Sequence, residues 1–141
     1  MRRMSLMLGL LVLLVAACGG SQEESVTNVS LLATDITYDE ARLEVPANQA
    51  VHLTLENSGA LEHDFSIREI DVRDVHPPED EADDHAMSED VHELDVHVAA
   101  HPNGGRSTVE FTPTESGEYE YYCTVPGHRE AGMVGTLVVV P

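Results

Sequence analysis

The sequence predicts an all-β fold, a Greek-key β-sandwich of about seven to eight strands. Two observations predict it. Short runs in which apolar and polar residues alternate recur from Val26 to the C-terminus, and turn residues separate them. No 3.6-residue apolar stripe persists outside the N-terminal leader and, at most, an acidic stretch in the middle of the chain.

The elements follow in order. Met1-Arg2-Arg3, an apolar stretch from Leu6 to Ala17 and then Cys18-Gly19-Gly20-Ser21 have the parts of an export signal: a basic start, a short apolar core, and small residues before a cleavage point. The core is too short to cross about 30 Å of hydrocarbon, which takes roughly 20 residues. Val15-Ala16-Ala17-Cys18 further resembles a bacterial lipobox, in which the cysteine is lipidated and becomes the mature N-terminus. The alternative is an ordinary signal peptide cut near Ala17, with Cys18 incidental. Residues 1–17 are thus read as a lipoprotein signal peptide and 18–25, small and polar, as a tether. Residues 26–141 are read as one domain.

Within that domain Val29, Leu31 and Ala33 form the first alternation, and Arg42-Leu43-Glu44-Val45 the second. Val51, Leu53 and Leu55 alternate with His52, Thr54 and Glu56 in the third, which Asn57-Ser58-Gly59 ends as a turn. His63-Asp64-Phe65-Ser66-Ile67 starts another strand. Ser107 to Phe111, Gly117 to Cys123 and Thr136 to Val140 supply the rest. Residues 71–95 break the rhythm, with eleven acids against the single base Arg73, and His76, His85 and His92 among them. Like charge with Pro77-Pro78 and few aromatics reads as an insertion between strands, in part a solvated loop.

Charge narrows the range of partners. The 141 residues carry a formal −19, with seven arginines and no lysine. Loss of Arg2 and Arg3 with the leader leaves five bases against 26 acids, or −21. So acidic a chain repels nucleic acid and anionic lipid, and attracts a basic partner surface. Acidity as a solubility device accounts for the charge equally well.

The chemistry concentrates near the C-terminus. Cys123, His128 and Met133 stand at five-residue intervals in a loop carrying Pro126, Gly127 and Gly132. Thiolate, imidazole and thioether are soft or borderline donors suited to copper that cycles between Cu(I) and Cu(II), the Met sulfur being a weak axial ligand. Only two cysteines exist. With Cys18 assigned to processing, Cys123 has no disulfide partner in an oxidising compartment, where a lone thiol is a liability or a ligand. A further histidine is needed, and His63, which heads a core strand, is the best placed.

Here the chain resembles the cupredoxin family: a His opening a mid-sequence strand, then Cys-x4-His-x4-Met between the last two strands. Phe111 to Tyr119, Tyr122 to His128 and Gly132 to Leu137 are similar to the C-terminal half of auracyanin-type and plastocyanin-like blue-copper proteins. The likeness covers roughly residues 26–70 and 96–141 and leaves the insertion aside. It implies one type 1 copper per chain, with His63, Cys123 and His128 in the trigonal plane and Met133 axial. Structural zinc fits less well, because Met is a poor fourth ligand. A binuclear copper centre would need a second bridging cysteine, and a multicopper oxidase needs more domains. No catalytic residue is assigned.

The resulting expectation is an exported electron carrier, anchored through Cys18 on the periplasmic or other extracytoplasmic face of a membrane and acting as a monomer. It would shuttle single electrons between redox proteins such as cytochromes or membrane electron-transfer complexes. Electrons would pass through the solvent-side edge of His128, inside an apolar collar of the ligand loop and Leu61. Asp64 and Thr124, each beside a ligand, could hydrogen-bond across the two ligand-bearing segments; simple strand capping is the alternative. Tyr119, Tyr121 and Tyr122 read as core and edge aromatics. A different reading is a copper chaperone or store that uses the His- and Asp-rich insertion, with Met87 as an added donor.

Overall fold

The computed structural model describes residues 25–78 and 94–141. The signal peptide, Cys18, the tether up to residue 24 and the part of the insertion from 79 to 93, including His85, Met87 and His92, lie outside the described residues.

Among the described residues ten strands form: β1 Val26–Thr34, β2 Thr37–Tyr38, β3 Arg42–Pro46, β4 Ala50–Asn57, β5 His63–Ile67, β6 Val72–His76, β7 Val96–Ala100, β8 Gly105–Pro113, β9 Gly117–Tyr122 and β10 Val134–Val140. They build two five-stranded sheets, β2-β1-β4-β8-β6 and β3-β10-β9-β5-β7. From β3 to β9 successive strands alternate between the sheets, and the parallel pairs β1 with β4 and β3 with β10 arise from those crossovers. All described elements are strands, as the period-two pattern predicts.

The alternation fixes the inner faces. On β4, Val51, Leu53, Leu55 and Asn57 are buried, while the residues between them face outward and remain partly exposed. Val109 and Phe111 of β8 meet them across the same sheet, in direct register with Leu53 and Val51. The opposing sheet contributes Phe65, Ile67, Val98, Tyr121 and Leu137, all buried. Each such side chain, fully removed from water, is worth about 1.5–3 kcal/mol. Tyr121 packs against Phe65 at a ring separation of 5.0 Å and edge-on to Tyr38 at 5.3 Å, and its hydroxyl donates to the Glu40 carbonyl. Tyr121 and Tyr122 are core residues, and Tyr119 packs on the core edge.

The strand count exceeds the expected seven to eight, for identifiable reasons. β2 has only two residues and leaves no periodic signature. β7 is short but alternates cleanly, with Val96, Val98 and Ala100 buried; the acids preceding it mask that pattern. β6 lies inside the stretch read as an insertion. Its side chains are largely exposed, and it pairs with β8 as a sheet edge, so backbone hydrogen bonds rather than apolar burial define it.

Candidate metal centre

The end of β9, the start of β5 and the start of β10 meet at one end of the sandwich. The antiparallel pairing of Ser66 with Tyr122 brings the residue after β9, Cys123, alongside the first half of β5, which His63 opens. A turn of buried and polar residues sets His63 in place. Asn57, buried at the end of β4, donates to the carbonyls of Leu61 (2.8 Å) and Ala100 (2.9 Å) and accepts from Gly59 N–H (2.9 Å). Gly59 itself lies close enough to the His63 ring that an added Cβ would stand 3.3 Å from Nε2.

The loop after Cys123 is closed by its own backbone. His128 N–H donates to Val125 O at 3.0 Å, Ala131 to Gly127 at 3.1 Å and Gly132 to Arg129 at 3.0 Å. Gly127 and Gly132 adopt φ of 87° and 102°, in the left-handed region where other residues are strained. Met133 closes the loop onto both neighbouring donors: its N–H donates to His128 O at 3.0 Å, and its carbonyl accepts from Cys123 N–H at 3.2 Å.

His63, Cys123 and His128 each present a ligand atom, and those atoms all lie within 4.8 Å of one another. The thiol sulfur is 3.4 Å from His128 Nδ1, and the two imidazole rings are 5.0 Å apart. His63, Cys123 and Met133 are fully buried, and His128 retains 6% exposure. With its Nδ1 turned to the sulfur, His128 directs the opposite side of its ring away from the cluster. Leu61, two residues before His63, and Val134, directly after Met133, are apolar side chains exposed by 48% and 36%.

Asp64 ties the two segments together. Its Oδ1 accepts from Thr124 N–H at 2.8 Å and its Oδ2 from the Thr124 hydroxyl at 2.6 Å. The link runs across 60 positions of sequence, from inside β5 to the residue after Cys123. Ser66 Oγ donates to the same Oδ1 at 2.9 Å and lies 2.9 Å from His97 Nδ1, while the Tyr38 hydroxyl donates to the Asp64 carbonyl. Sequence reasoning proposed the Asp64–Thr124 link but missed Asn57, Gly59 and the Ser66–His97 extension. Asn57 carried one signal: it falls on the inward parity of β4, where a polar residue demands partners.

The electrostatics suit a metal. Both nitrogens of His63 are buried with no hydrogen-bond partner, a costly arrangement for a plain structural histidine. Burial, and then the neighbouring His128, lower the pKa of His63, which favours the neutral imidazole that ligates. Burial, and then the Asp64 carboxylate, push the Cys123 thiol up to about 11. A cation in the cage reverses that preference, since a coordinating thiol is deprotonated. Orphaned imidazole nitrogens beside soft sulfur donors fit copper.

Two imidazoles, a thiol and a thioether brought together at one end of a Greek-key β-sandwich define a mononuclear copper-binding protein of the cupredoxin class. The chain belongs to the plastocyanin/azurin family of copper-binding proteins, whose family model matches residues 25–140. Among characterised relatives it is 30% identical over 124 residues to the copper-resistant cuproprotein CopI of Rubrivivax gelatinosus, covering 85% of this chain and 70% of that one. CopI of Pseudomonas aeruginosa is 25% identical, covering 81% of this chain and 76% of the relative. Among solved structures, auracyanin A, a "blue" copper protein from Chloroflexus aurantiacus, is 25% identical with a TM-score of 0.61, covering 82% of this chain and all of that one. Auracyanin from Roseiflexus castenholzii shares the fold at a TM-score of 0.64 and 23% identity, covering 82% of this chain and 98% of that one.

Proposed function

We propose that His63, Cys123, His128 and Met133 hold a type 1 copper and that the protein is a one-electron carrier, exported and anchored to a membrane through lipid on Cys18. The observation that carries this reading is the burial of the four side chains in a cage closed by backbone bonds and by Asp64. Copper bound there would supply a one-electron couple with no bond made to substrate. The chain keeps the donor set fixed, so that little has to move when the oxidation state changes. His128 offers the solvent-side route, and Leu61 and Val134 provide the apolar contact suited to the small interfaces of transient redox complexes. The formal charge of −19 favours a basic partner, such as a cytochrome.

A second reading, export-linked copper handling, is favoured by the relatives named copper-resistant cuproproteins. One experiment separates the two. Copper-loaded mature protein is mixed with a cationic c-type cytochrome, and in parallel with a Cu(I) chelator. A carrier exchanges electrons rapidly and retains its metal; a chaperone or store yields its copper and exchanges electrons slowly. Loss of copper faster than electron transfer would overturn the carrier reading. The ligand assignment has its own check: the intense thiolate-to-copper visible band must be present in the parent and absent in Cys123→Ser.

A further inference from the structure

We propose a second metal site, for a divalent borderline cation such as Cu(II), on the outer face of the sheet β2-β1-β4-β8-β6, made by His52, Glu110 and His76. The three residues occupy one row across adjacent strands. Glu110 of β8 is in direct register with His52 of β4 on one side and with His76 of β6 on the other. His52 Nε2 stands 2.9 Å from Glu110 Oε2, with 38% and 39% of the two side chains exposed. That is the distance of a hydrogen-bonded ion pair, and a cation binding there would take the place of the proton between the two atoms. Strands spaced about 4.8 Å apart put the two histidine backbones roughly 10 Å apart. Among the described residues only His63, Cys123 and His128 already hold three such donor atoms together, so the His76 ring has to swing over Glu110 for this second site to close.

The edge strand is shaped to complete the row. Arg73 faces Thr112 and His76 faces Glu110, so β6 advances three residues while β8 advances two. The extra residue is a β-bulge, and Asp74 within it takes a left-handed φ of 54°. Regular pairing would set Val75 opposite Glu110; the bulge sets His76 there instead. His52, His76 and Glu110 line one surface hollow, with Pro77 and Pro78 at its rim. Arg106, which also lines the hollow, is tied to Glu56 at 2.8 Å, which limits its repulsion of a cation. Two imidazoles and a carboxylate are borderline donors, and among first-row divalent ions such a set favours Cu(II). The site is separate from the buried cage: His52 lies near the start of β4 and faces outward, whereas Asn57 at its end faces inward and holds the turn to His63.

The test uses the mature protein with its cage already filled by one equivalent of copper, titrated with further Cu(II) and followed by EPR and by the visible band. The expected result is a second copper with an ordinary axial signal while the blue band stays constant. His52→Ala and His76→Ala should each weaken the second copper by at least roughly tenfold, since even outer partners of metal ligands are worth that much. An unchanged blue band and thermal midpoint in each variant establish that the fold is intact. A stoichiometry of one, or a second copper whose affinity is the same in the His52→Ala/His76→Ala double variant, overturns the proposal; the latter result would place the metal elsewhere on the acidic chain.

Discussion

At the scale of single residues, Asp64 and Cys123 set the properties of the cage. Asp64 accepts from the Thr124 N–H, the Thr124 hydroxyl and Ser66, so Asp64→Ala leaves a Thr124 N–H without its partner. A loss of about 1–3 kcal/mol is expected, read as a lower denaturant midpoint, together with a changed visible spectrum because Thr124 is adjacent to the thiolate. Asp64→Asn keeps one acceptor oxygen and should lose less. Cys123 governs the alkaline behaviour of the metal-free protein. Its thiol titrates near 9.0 when unfolded and at about 11 when folded, so above pH 9 the unfolded chain releases a proton that the folded chain retains. Stability is therefore full below pH 9 and falls as pH rises towards 11. Tyr38 and Tyr121, raised from 10.0 by burial, act in the same direction but begin a unit higher. Midpoints measured from pH 7 to 11 should show the part of the decline that starts near pH 9 vanish in Cys123→Ala, and the tyrosine part remain.

At the scale of elements, the site depends on two connections. The β4–β5 turn hangs on Asn57, whose side chain makes three hydrogen bonds in a fully buried position. Asn57→Ala leaves the Leu61 and Ala100 carbonyls and the Gly59 N–H short of a partner, and should cost about 2 kcal/mol or more. Because that turn positions His63, copper affinity should fall with stability, which distinguishes Asn57 from a core residue remote from the cage. The β9–β10 loop needs its left-handed Gly132, directly before Met133. Gly132→Ala is expected to lose about 1–3 kcal/mol from backbone strain and to shift the visible spectrum through Met133, whereas a substitution at exposed Glu130 should change neither. The spacing of the three C-terminal donors was legible because the loop is local. The turn at Asn57-Ser58-Gly59 was legible as a turn, but its part in holding His63 was not, since Asn57 meets Ala100 across 43 residues.

At the scale of the whole molecule, metal and charge are the variables to test. Copper that binds the folded cage and not the unfolded chain stabilises by mass action, by about 2.7 kcal/mol at a free concentration one hundredfold above the dissociation constant. The thermal midpoint should thus rise with copper in the parent and much less in Cys123→Ser. If the acidic surface steers a cationic redox partner, the bimolecular electron-transfer rate should drop steeply with added salt, the screening length being about 10 Å at 0.1 M. A salt-independent rate would remove steering from the mechanism.

The sequence by itself determined the all-β class and the inward set Val51, Leu53 and Leu55 of β4, because burial on a half-buried strand has a period of two that such an alternation displays; β5 is buried throughout and β10 buries Leu137, Val138 and Val139 in succession, so alternation alone does not assign their faces. It also determined the donor set on the Cys123–Met133 loop, because ligands ten residues apart need no distant partner to be recognised. Only the tertiary structure decided how the cage is held shut, through the contact of Asp64 with Thr124. It likewise decided that residues 72–76 of the acidic stretch form an edge strand, and that His52, Glu110 and His76 share one row. The reason is the same in each case. Periodicity encodes which face of a strand is buried, but neighbours across a sheet are chosen by pairing between segments far apart in the chain, and a single bulge can change which side chain stands opposite which.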